Sequence, residues 1–112
     1  MERFEAVVGP GGAAGRVVTA SGELDLAAAD GLWRAIEPLL TPGALVVLDG
    51  AGLTFLDSSG LRVLLQAHKR AEADGAVFRV VAPQQAVQRV FDLAGAGSYL
   101  QLRPDVDAAL AG

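Results

Sequence analysis

The chain has 112 residues, the size of one domain able to bury its own core. It carries no cysteine, which excludes disulfides, thiolate metal sites and thiol catalysis. Its net charge is −4, and its basic residues are scattered singly except at Lys69-Arg70, which argues against a nucleic-acid-binding face.

Arg3 to Val8 and Arg16 to Ala20 read as two short strands of an antiparallel pair. Gly9-Pro10-Gly11-Gly12-Ala13-Ala14-Gly15 between them reads as a flexible loop, too long and glycine-rich for a tight turn. It has neither the strand-to-helix setting nor the Lys-Ser/Thr ending of a phosphate cradle. Ser21-Gly22-Glu23-Leu24-Asp25 is expected to turn the chain into a helix over 26–40, with Asp25 as its N-cap. Ala29, Trp33, Ile36 and Leu40 form the buried stripe of that helix, and Trp33 is expected as a core anchor. Pro38 and then Thr41-Pro42-Gly43 stop it.

Leu45-Val46-Val47-Leu48 is apolar on both faces, as in a central strand covered from both sides. Asp49-Gly50-Ala51-Gly52 reads as a turn cluster at its end. From Ser58 a second helix runs to Asp74, with Leu61, Leu64, Leu65 and His68 on one face and Gly75 closing it. Ala76 to Val81 reads as a strand. Pro83 sits at a first helical position, and Val87, Val90, Phe91 and Ala94 mark a third helix closed by Gly95 and Gly97. Ser98 to Leu102 is expected as a short edge strand, and Pro104 opens a last helix over Asp105 to Leu110. The order predicts an α/β domain over 1–112: a mixed sheet, mostly parallel, with an antiparallel N-terminal edge and helices packed on it.

Catalytic equipment is sparse. His68 is the only histidine and lies on an apolar helix face, which suits a packed structural role. Ten residues of helix rise separate it from Ser58 by about 15 Å, so the two cannot form a nucleophile–base pair. Asp57-Ser58-Ser59-Gly60 is not the Gly-x-Ser-x-Gly elbow of hydrolases. Asp25, Asp49 and Asp57 at strand ends are a candidate cation cluster, with capping and turn formation as the competing and preferred role of each. What stands out is Thr54-Phe55-Leu56-Asp57-Ser58-Ser59-Gly60-Leu61. It sets two hydroxyls and a carboxylate at the positive end of a helix, beside apolar residues that a partner can cover.

Three stretches carry a family resemblance: Gly22-Glu23-Leu24-Asp25, Leu45-Val46-Val47-Leu48-Asp49, and Leu53-Thr54-Phe55-Leu56-Asp57-Ser58-Ser59-Gly60-Leu61. Together with Val87-Gln88-Arg89-Val90-Phe91-Asp92-Leu93-Ala94-Gly95, they resemble the anti-sigma factor antagonists, single-domain members of the STAS family. The resemblance implies a STAS-like mixed sheet and a partner switch. The unmodified protein binds an anti-sigma factor that is also a serine kinase, and so frees a sigma factor. The kinase phosphorylates the antagonist, which lets go, and a serine phosphatase resets it. The acceptor matches Ser58, and Asp25 matches an acidic residue beside the acceptor. Asp57, Ser59, Phe55 and Leu56 complete the expected partner-binding patch. No enzyme activity, cofactor or metal is expected, and no direct contact with nucleic acid. A scaffold or a transport-associated STAS module is the alternative, and a small enzyme built on the acidic cluster a more distant one. Hydrophobic residues make up 52% of the chain, which suits a folded domain. No apolar run approaches the roughly 20 residues of a membrane span. Met1-Glu2-Arg3 does not begin a signal peptide. A cytoplasmic protein is therefore expected, and separately a monomer or weak dimer.

Overall fold

A computed structural model describes residues 3–9, 15–81 and 84–111. Pro10 to Ala14 of the expected loop, and Pro83, expected at a first helical position, lie outside the described residues. In chain order the elements are β1 (Glu5–Val8), β2 (Arg16–Leu24), α1 (Leu26–Ile36), a 3-10 turn (Glu37–Leu39), β3 (Leu45–Leu56) and α2 (Ser58–Asp74). They continue with β4 (Val77–Val81), α3 (Gln85–Ala94), a 3-10 turn (Ala96–Ser98), β5 (Gln101–Arg103) and α4 (Val106–Ala111).

The five strands form one sheet in the order β1-β2-β3-β4-β5. β1 pairs antiparallel with β2, and all other pairs are parallel. This is the mixed sheet that the element order predicts. Right-handed crossovers between adjacent parallel strands place their helices on one face. Accordingly Leu32 and Ile36 of α1, Leu64 and Ala67 of α2, and Val87 and Phe91 of α3 join one core with Val46, Leu48, Phe78 and Val80 of the sheet. The opposite face carries a smaller core, where Val47 and Val81 meet Ala109, Val106 and Leu110 of α4. Along Val46-Val47-Leu48 the central strand is thus buried from both sides, as its unbroken apolar run requires.

Several boundaries differ from the sequence reading. Ser21 to Leu24 does not turn the chain: β2 runs straight through it. Asp49 to Gly52 is not a turn either, because β3 continues to Leu56. The glycines and aspartate that mark a turn are absorbed as two register shifts between β2 and β3, at Thr19/Ser21 and at Gly22/Glu23. Gly22 shows why: its φ is +88°, and a Cβ there would strike the backbone of Arg3.

The first helix ends at Ile36, not Leu40, since Pro38 lacks an N–H and its ring crowds the preceding turn. Its buried stripe is Ala29, Leu32 and Ile36, with Leu40 beyond. Trp33 is only half-buried at the margin. After α3 a 3-10 turn occupies the start of the expected last strand, so β5 begins at Gln101. Asp105 caps α4 rather than starting it: its Oδ1 accepts from the Ala108 N–H at 2.7 Å.

Candidate functional site

β2 and β3 end side by side, with Leu24 opposite Leu56. Each then passes through a single aspartate into a helix. Asp25 and Asp57 have nearly the same extended backbone, φ −111° and ψ −170° against φ −108° and ψ −174°. Asp25 Oδ1 accepts from the Ala28 N–H at 3.1 Å. Asp57 Oδ1 accepts from the N–H groups of Ser59 at 2.9 Å and Gly60 at 3.1 Å. The Asp57 N–H donates to the Leu24 carbonyl at 3.3 Å, which ties the two junctions together. Two helices therefore begin next to each other at the C-terminal ends of two interior strands, each with a carboxylate on its first turn.

This construction fixes Ser58. It is the first residue of α2, directly after the cap, and its side chain is exposed. Ser59 is half-buried in the first turn. Gly60 is buried against Leu24 and Leu56, and its lack of a side chain lets α2 press onto the strand ends.

The residues around Ser58 divide by strand parity. Phe55 is 46% exposed, whereas Leu56, its neighbour on the opposite face, is 3% exposed and belongs to the core. Leu56 thus drops out of the exposed patch in which it was expected. Leu26, at 75% exposed, stands in the corresponding position on α1. Sequence reasoning missed Leu26, although a signal was present: it follows Asp25 as Ser58 follows Asp57, so both open their helices. Asp25 and Asp57 themselves are half-buried.

Two grooves flank the junctions. One, of about 250 Å³ between α1 and α2, is lined by Leu26, Asp30, Trp33, Ser59, Arg62 and Gln66 among others. The other, of about 570 Å³, lies beside Asp25 and is lined by Arg3, Phe4, Glu23, Ala28 and Gly31.

The remaining candidates fall elsewhere. Asp49 lies within β3 opposite Thr19, and its Oδ1 accepts from the Ala51 N–H at 3.2 Å. Among the described residues no group of three from His, Asp and Glu is placed to hold a metal ion. His68 is buried in the α2 packing, with its ring edge-on to Tyr99 at 4.6 Å between centroids and Nε2 3.5 Å from Glu72. It serves packing, and Ser58 has no histidine to activate it. The arrangement suits a hydroxyl that receives a group from a docked protein.

A family model of the STAS domain matches residues 6–109, and the chain belongs to that family. An anti-sigma factor antagonist from Mycobacterium paratuberculosis is 29% identical, with a TM-score of 0.84 over 97% of this chain and 92% of that one. The anti-sigma factor antagonist SpoIIAA of Bacillus, in its unphosphorylated form, is 24% identical, with a TM-score of 0.76 over 93% of this chain and 92% of that one. A sulfate transporter family protein from Wolinella succinogenes, 15% identical, shares the fold with a TM-score of 0.74 over 92% of this chain and 87% of that one. No helix among the described residues is long and apolar enough to cross a membrane.

Proposed function

We propose that this chain is a cytoplasmic anti-sigma factor antagonist, a binding protein switched by phosphorylation of Ser58. Unmodified, it holds an anti-sigma factor that is also a serine kinase and thereby frees a sigma factor. Transfer of the ATP γ-phosphoryl group to the Ser58 oxygen, with ADP as leaving group, ends the complex. A serine phosphatase restores the hydroxyl. The observation that carries this reading is the presentation of Ser58 at the start of α2, exposed and flanked by the exposed Phe55 and Leu26. Similarity to anti-sigma factor antagonists over nearly the whole chain supports it. Phe55 and Leu26 supply apolar area for docking, and Asp25 and Asp57 supply acceptors for a cationic partner.

The switch follows from solvation. Phosphorylation brings roughly −1.5 to −2 charge at neutral pH. Covering that charge with Phe55, Leu26 and a partner surface strips it of water, which is costly without a paired cation. A loss of about 1.4 kcal/mol already weakens binding tenfold. Ser58→Asp carries less charge on a shorter arm and should weaken binding only in part.

The test is phosphopeptide mapping and calorimetric binding with the anti-sigma factor kinase encoded nearest to this chain. Phosphate on Ser58, lost in Ser58→Ala, and weaker binding of the phosphorylated form are expected. Phosphate found chiefly on Ser59, or binding unchanged by phosphorylation, would overturn the proposal. Capture of a membrane transporter instead of a sigma regulator would favour the transport-associated reading.

A further inference from the structure

Arg62 follows Ser58 by four residues on α2, so the two side chains stand one above the other on the same helix face. Helical side chains lean toward the N-terminus, which tips the Arg62 stem toward Ser58. Arg62 is exposed and lines the α1–α2 groove together with Asp30. The ion pairs of the described residues are His68–Glu72, Arg70–Glu37 and Arg70–Asp74, and Arg62 takes part in none of them. Among the described residues its guanidinium has no hydrogen-bond or ion-pair partner.

The first turn of α2, by contrast, is engaged. Asp57 already accepts from the Ser59 and Gly60 N–H groups, and the Leu61 N–H donates to the Asp57 carbonyl. A phosphate on Ser58 therefore finds these backbone donors occupied. Its charged surroundings are mostly negative: Asp57 at the β3–α2 junction, Asp25 and Glu23 at the end of β2, and Asp30 on α1. Arg3 lies across the second groove, with Asp25 and Glu23 in the same lining. Along α2 the next cation after Arg62 is Lys69, about 16 Å from Ser58 by helix rise.

We infer that Arg62 receives the phosphate of phosphorylated Ser58 as an i,i+4 ion pair along α2. This rests on the assignment of Ser58 as acceptor. An anion N-terminal to its cation is the favourable order for such a pair. The planar fork of guanidinium matches two phosphate oxygens, which a lysine cannot do. The pairing also draws Arg62 away from the groove that it lines with Asp30. Phosphorylation then alters the docking face twice, by adding a dianion at Ser58 and by withdrawing the positive charge from between α1 and α2.

The test installs phosphoserine at position 58 during translation, so that it depends on no kinase. The second ionisation of the phosphate, near pH 6 in general, is followed by phosphorus NMR in the phosphorylated chain and in its Arg62→Gln, Arg62→Lys and Lys69→Gln variants. Losing the paired cation disfavours the dianion, so Arg62→Gln should raise that midpoint by about 0.15–0.4 pH unit. Arg62→Lys should recover part of the difference, and Lys69→Gln, with the same change in net charge, should leave it in place. Equal midpoints in all four proteins, or equal rises in Arg62→Gln and Lys69→Gln, would overturn the inference. The acceptor assignment fails separately, if the kinase does not phosphorylate Ser58 in the unmodified chain.

Discussion

A methyl group at position 60 would lie 2.6 Å from Leu24 Cγ and Leu56 Cδ1 and 2.8 Å from the Leu24 carbonyl oxygen. Backbone cannot give way as a flexible side chain can, so Gly60→Ala must lift the first turn of α2 off the strand ends. Overpacking of this kind costs about 1–3 kcal/mol. A lower melting temperature and slower phosphorylation of Ser58 are expected together, because the same shift moves the proposed acceptor. Asp25→Ala separates these effects. It removes one N-cap acceptor, which costs about 0.5–2 kcal/mol, and it removes a carboxylate from the proposed docking face. Melts and calorimetric titrations run on one preparation should show binding weakened more than folding; normal binding by the remaining folded fraction would reduce Asp25 to a cap. Both aspartates and Ser58 were legible in the sequence because capping is local: it needs only the residue and the helix that follows. Leu56 was not. Which of two adjacent apolar residues faces outward depends on strand parity, and each register shift between β2 and β3 resets that parity.

At the scale of elements, helix periodicity located α1, α2 and α3, while glycine-rich clusters misled at the strands. Gly22, Gly50 and Gly52 look like punctuation, yet they sit inside β2 and β3, where the register shifts use the room that their missing side chains leave. Paired strand length is a non-local property, set by the neighbour rather than by the segment itself. The end of α2 shows the opposite case, with local signals that hold. Gly75 closes it at φ +74°, and Arg70 joins the last turn to the 3-10 turn through Asp74 at 2.9 Å and Glu37 at 3.1 Å. The hydrogen bond to Asp74, then the Asp74 charge, and further the Glu37 contact hold the Arg70 guanidinium above the usual arginine range. A cation with a raised pKa keeps its contribution at every pH below its unfolded value and loses it only as pH climbs through the folded one. Arg70→Met should therefore lower the melting temperature by the same small amount across about pH 6–9. The difference should shrink in high salt, because both partners are exposed. A melting difference that varies with pH in that window would refute this account.

At the scale of the whole molecule, the sheet separates two tasks. One face carries α1, α2 and α3 with the main core, and the C-terminal ends of β2 and β3 carry the two aspartate junctions and Ser58. The other face is covered in part by α4, through Ala109 packed on Val47 and Val81 and through Arg79 Nη1, which donates to the Ala109 carbonyl at 2.7 Å. Ala109→Leu forces extra methylenes into this fully buried contact and should cost about 1–3 kcal/mol. Chains that remain folded should still accept phosphate at Ser58, since α4 and the site lie on different parts of the sheet. The mixed sheet was legible because alternating strands and helices leave few right-handed solutions. The seating of α4 was not, since a six-residue helix has too little pattern to show its face. The strand order has one more consequence, for the nascent chain. Spatial order equals chain order, so each new strand pairs with the one made just before it and no strand waits for a distant partner. By the time Asp74 has left the ribosome, Leu24, Leu56, Asp57 and Gly60 have all been synthesised. The β3–α2 junction that carries Ser58 can then assemble on β2 and β3 while the C-terminal third is still being translated, and a chain stalled beyond α2 should already protect the amides of these two strands from exchange.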